Sequence, residues 1–160
     1  MHMPHGPGFD PWLPHDLVHF VVERHCGIAG GVFGQLAAGG DAGTFFTIPH
    51  RRRDPARRRS ERLGTLGREE MARSERLAAA CMAAWHARRG RSWAFAESVD
   101  PGAREAVSGE LLSELERISE RWHGLQVGGT LTLEWAEHRK ARLRPAQPPR
   151  AQRARSRRRA

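Results

Sequence analysis

The chain has 160 residues, 39% of them apolar, with 27 basic and 18 acidic side chains and a formal net charge of +9. The excess charge is local: ten basic residues and no acidic one lie between His138 and Ala160, leaving 17 basic against 18 acidic groups elsewhere. That length suits one domain and a tail, and the near-neutral remainder excludes a cationic nucleic-acid platform spread over the whole domain.

Residues 1–13 are rich in proline and glycine and read as an extended arm, with Phe9 and Trp12 as anchors. A first helix is predicted from Pro14 to just before Gly27, with Leu17, Val18, Val21 and Val22 on one apolar face and Phe20 outside it. A short second helix is expected over Gly31 to Ala38, ended by Gly39-Gly40. Thr44 to Ile48, bounded by Gly43 and Pro49, reads as a short strand. Residues 50–60, HRRRDPARRRS, read as a basic linker.

From about Arg68 to Arg89 the next helix carries Glu69 and Glu70 in its first turn and Arg88 and Arg89 in its last, matching the macrodipole. Its apolar stripe is Met71, Ala78, Cys81, Met82 and Trp85. One further helix is expected from the Asp100-Pro101 cap to Gly124, with Val107, Leu111, Leu115, Ile118 and Trp122 recurring at helical spacing. After Gly128-Gly129, Leu131, Leu133 and Trp135 alternate with Thr130, Thr132 and Glu134, the pattern of a half-buried strand. From His138 on, prolines interrupt an arginine-rich run without apolar periodicity, which reads as a disordered tail. The expected class is therefore α+β: three main helices packed with a small, incomplete antiparallel sheet in one domain over residues 1–137. Two short strands are marginal alone, so a partner subunit, in a homodimer, is one way to complete the sheet.

LPHDLVHFVVE, from Leu13 to Glu23, followed by GGVFGQLAAGGDAGTF, from Gly30 to Phe45, resembles a group of small uncharacterised bacterial proteins. They share a PHDLxHFxVE plus GxFGxxAAGG signature and tend to end in a G-x-L-x-L-x-W-like strand, here Gly129, Leu131, Leu133 and Trp135. The resemblance implies a common fold, in which relatives would carry further strands in extended sequence before the FDPWLPHD segment, whereas eight residues precede Phe9 here. It carries over no activity and no catalytic residue.

Chemistry concentrates near the start, where His2, His5, His15, His19 and His25 are five of the nine histidines. On the first helix His15, His19 and Glu23 recur every four residues and, with Asp16, form one polar stripe away from the apolar face. Two imidazoles one turn apart reach a zinc ion together, and Glu23 one turn further is a candidate third ligand. His15-Asp16-Leu17-Val18-His19 is an HDxxH, one methylene short of the HExxH that sets a general base beside metal-bound water, so Asp16 is the candidate base. The competing reading is a solvated polar face, or a hydrogen-bonded network buried against another helix. His50, His86 and His123 are candidates for a remaining ligand only if the fold brings one near.

The second constellation is cationic: Arg51, Arg52, Arg53, Arg57, Arg58 and Arg59, then Arg150, Arg153, Arg155, Arg157, Arg158 and Arg159. Such clusters give salt-sensitive, sequence-independent nucleic-acid affinity, but no aromatic residues interleave to stack bases, and no amphipathic helix carries them to a membrane surface. With one lysine against 26 arginines, the runs also read as a solvated compositional bias. The glycines of GIAGGVFGQLAAGG match neither phosphate-loop pattern. Cys26 and Cys81 are too few and too far apart for a disulfide framework or a cysteine zinc finger, and read as reduced thiols of a cytoplasmic protein. The N-terminus lacks a signal-peptide pattern, and the longest uncharged run, Cys26 to Gly40, is 15 residues with six glycines, too short to span a bilayer. The leading expectation is a non-enzymatic protein acting through contacts with other macromolecules. The alternatives are a metal-binding protein or metal-dependent hydrolase using His15, His19 and Glu23, with zinc as its cofactor, and a nucleic-acid binder acting through the arginine tail.

Overall fold

A computed structural model describes residues 10–42 and 55–135. Six α-helices occur among them: α1 (His15–Cys26), α2 (Val32–Ala37), α3 (Pro55–Leu66), α4 (Arg68–Arg88), α5 (Pro101–Glu105) and α6 (Gly109–His123), with a 3-10 turn at Ala96–Ser98. The long helices α1, α4 and α6 pack each against the other two, while α2 leans on α1, α3 bridges α2 and α4, and α5 rests on α4. The shared core is built from Val18, Val21 and Val22 of α1, Cys81, Met82 and Trp85 of α4, and Leu111, Leu115 and Ile118 of α6. No described helix is long and apolar enough to cross a membrane.

The expected α+β class is overturned: among the described residues there is no strand and no sheet. The candidate strand at Thr44–Ile48 lies outside them. Residues 130–135 keep the alternation the sequence shows, Leu131, Leu133 and Trp135 half-buried against the helical core and Thr130, Thr132 and Glu134 exposed, yet no ladder forms. Period-two burial specifies an extended chain with one face inward; a strand needs a backbone partner as well, and here the inward face meets side chains of helices instead.

Helix ends follow local chemistry. Pro14 caps α1 and its carbonyl accepts from Leu17 and Val18 N–H, at 2.9 and 3.3 Å, while Gly27 closes the helix with φ 67°, a left-handed conformation only glycine adopts without strain. The single helix expected from Pro101 to Gly124 is two. Asp100 caps α5 by accepting from Ala103 N–H at 2.8 Å, and Ser108 starts α6 anew by accepting from Leu111 N–H at 3.1 Å. Serine in extended conformation satisfies a backbone donor that an uninterrupted helix would have used, so continuous apolar spacing is broken by a local cap. The second half of the segment expected as a basic linker is also helical, since α3 opens at Pro55, where φ is already set for a first turn. Phe20, expected off the apolar face, is buried: it meets Phe33 of α2 and Trp135 edge-on, with ring centroids 5.2 and 5.8 Å away. Helix α1 is covered on nearly every side, so its one-sided periodicity understates its burial.

Candidate metal centre

His19 and Glu23 of the polar stripe face α4 rather than solvent, as in the competing reading of a network buried against another helix, while His15 and Asp16 stay partly exposed. His19 is 3% exposed and Glu23 is 0% exposed. Burying such groups is tolerated only when each is matched by partners. Glu23 has four. Its Oε1 accepts from Val32 N–H at 2.7 Å and from the Ser74 hydroxyl at 2.8 Å, and its Oε2 from Phe33 and Gly34 N–H at 2.8 and 3.3 Å. The carboxylate thus fills the N-terminus of α2, satisfying donors that the glycine-rich segment would otherwise offer to an anion. A Cβ on Gly31 would fall on that carboxylate, so the close approach depends on glycine there. Burial pushes the Glu23 carboxyl above its ordinary value, opposed by the Ser74 hydroxyl and the three backbone donors.

Glu23 is therefore not a ligand candidate; it is committed elsewhere. The carboxylate that joins the two histidines is Glu75 of α4, and nothing in the spacing of the α1 motif points to it. His15 Nε2 and His19 Nε2 are 3.0 Å apart, and Glu75 Oε2 lies 3.8 Å from the first and 3.5 Å from the second. A zinc ion bound at about 2.0–2.1 Å in tetrahedral geometry spaces its ligand atoms about 3.3–3.4 Å apart, and the three separations straddle that edge. His15 and Glu75 side chains are 32% and 56% exposed, so the triangle opens to solvent on their side and is closed by α1 and α4 on the other. When the two imidazoles are protonated, their hydrogen bonds and charge hold the Glu75 carboxyl well below the ordinary carboxylate range, against the opposing effect of burial.

Behind the triangle the polarity is set by a chain of bonds. Ser74 gives its one hydroxyl proton to Glu23, so it can only accept from His19, whose Nδ1 is 2.8 Å from its Oγ. His19 Nδ1 is the donor, and Nε2 points its remaining valence toward His15 and Glu75.

The other sequence candidates do not converge on this point. Asp16 is half-buried in the first turn of α1 and is not part of the cluster. His86 Nε2 lies 2.8 Å from Asp10 Oδ2 without hydrogen-bond alignment, while Asp10 Oδ1 accepts from Trp12 and Leu13 N–H at 2.8 and 3.0 Å. His123 Nε2 is 3.0 Å from the Trp12 carbonyl. Burial pushes the Cys81 thiol up to about 12, with the nearby Cys26 adding to it, so it offers no thiolate ligand or nucleophile. Arg57 pairs with Glu61 at 2.8 Å on an exposed face of α3. His2, His5, His50, Arg51, Arg52, Arg53 and the tail arginines Arg150, Arg153, Arg155, Arg157, Arg158 and Arg159 lie outside the described residues. No protein-family model matches the chain, and neither a curated protein nor a solved structure matches it.

Proposed function

We propose that the protein binds a divalent transition metal, zinc first, through His15 Nε2, His19 Nε2 and the Glu75 carboxylate, with at least one coordination position left to solvent. The observation that carries this reading is the triangle of donor atoms, with sides of 3.0, 3.5 and 3.8 Å, assembled from two helices. Two neutral imidazoles and one carboxylate suit zinc and its neighbours better than calcium or magnesium, which prefer all-oxygen shells. Three protein ligands and an open position also make up the ligand count of catalytic zinc sites, but among the described residues no further acid or imidazole joins the cluster to act as a general base, so the proposal is for binding.

The test is elemental analysis of untagged protein purified without chelator, together with zinc titration of the metal-free form. Near-stoichiometric metal is expected, lost in His19→Ala and Glu75→Gln and retained in His25→Ala, whose side chain lies near Glu114 instead. A folded wild-type protein that takes up no zinc overturns the reading. A second reading, a non-enzymatic interaction protein, draws on the exposed Phe95 and Trp122 and is the one left standing in that event. For either reading a cytoplasmic setting is proposed from the low cysteine count, two in 160 residues.

A further inference from the structure

We infer that Ser74 and Glu23 are positioning residues for the metal, acting through His19; this rests on the metal reading above. An imidazole can ligate through Nε2 only if that nitrogen carries no proton, and a histidine free in water is under no obligation to present that tautomer. Here the choice is made by α2. The N-terminal N–H groups of that helix, on Val32, Phe33 and Gly34, converge on the Glu23 carboxylate. An ionised Glu23 can only accept from Ser74, Ser74 can then only accept from His19 Nδ1–H, and in the neutral ring His19 Nε2 keeps its lone pair. Hydrogen bonding at the far nitrogen fixes ring orientation and raises ligand basicity in the same act.

His15 differs. Its Nε2 faces His19 Nε2 at 3.0 Å, and since the latter accepts, the His15 nitrogen donates in the metal-free protein. On binding, His15 moves its proton to Nδ1 to free Nε2, while His19 changes nothing. One ligand is therefore prepared by the fold and the other adapts, with no net proton released from either ring.

The experiment is long-range proton–nitrogen correlation on both rings of the metal-free full chain at about pH 8, alongside zinc titration against a competing chelator. The wild type is expected to show His19 as the Nδ1–H tautomer and His15 as Nε2–H, with only His15 switching on zinc addition. Ser74→Ala is expected to let His19 shift toward Nε2–H and to weaken zinc binding about 10- to 100-fold, and Ser74→Thr, which keeps the hydroxyl, to restore both. Ser74→Ala protein that is folded and binds zinc as tightly as wild type overturns the inference. So does an Nε2–H His19 in the wild type, a result that requires no variant to fold. Absence of zinc binding in wild-type protein whose His19 is nonetheless Nδ1–H overturns the metal reading and the positioning role with it, while leaving the hydrogen-bonded chain itself in place.

Discussion

At the residue scale the decisive side chain is Glu23. Its spacing from His19 on one face of α1 is legible in the sequence, and suggested a ligand set. The sequence left open whether this face is solvated or buried against another helix, and could not show that three backbone donors of another helix point at it, because those donors come together only through the turn after Gly27. Replacing Glu23 by glutamine keeps the shape but turns one acceptor atom into a donor facing donors. Glu23→Gln is expected to lower stability by about 2–4 kcal/mol, read from urea unfolding midpoints. An unchanged midpoint would mean that α2 is held by packing alone. Glu75 is the opposite case: an exposed acid on a charged helix, indistinguishable in sequence from Glu69 or Glu70 until α4 lies against α1.

At the element scale, local signals decide where helices begin and end, and tertiary contacts decide what the segments between them do. The bounds of α1 and α4 were legible from Pro14, Gly27, the acidic first turn at Glu69 and Glu70 and the basic last turn of α4. The break between α5 and α6 was missed although Ser108 is a good capping residue, because the apolar series from Val107 to Trp122 runs through it without a fault. Periodicity reports which side faces the core and says nothing about continuity of the backbone hydrogen bonds. Ser108→Ala, which removes the acceptor for Leu111 N–H, is expected to cost about 1 kcal/mol in the same unfolding assay. No effect would show that packing of Leu111 and Leu115, both fully buried, fixes the helix start unaided. Leu131, Leu133 and Trp135 carry the same lesson for strands, since their alternation survives in a segment with no strand partner.

At the scale of the whole molecule, α1, α4 and α6 close around one core, and polar links at its rim tie them together. Glu116 of α6 accepts from Trp85 Nε1 at 2.9 Å and from Arg89 at the end of α4, and Arg24 of α1 reaches Glu114 of α6 at 2.7 Å. The Arg89 guanidinium holds the Glu116 carboxyl below its ordinary value of 4.5, outweighing the small opposing effect of burial. A carboxyl depressed on folding contributes stability that is fully present above the ordinary value and is lost as pH falls through the depressed one. Unfolding midpoints are therefore expected to drop more steeply on acidification below about pH 4.5 in wild type than in Glu116→Gln, and equal slopes would show the link contributes nothing. Because Glu116 is substantially exposed, the effect is small. By itself the sequence determined α1, α2 and α4, most of the apolar positions that fill the core, and the two histidines one turn apart, since all of these follow from spacing along a single element. Only the tertiary structure decided that the class is helical, that Glu23 caps α2, and that Glu75 completes the candidate centre. Those depend on which faces of different elements meet, and spacing within one helix carries no record of its neighbour.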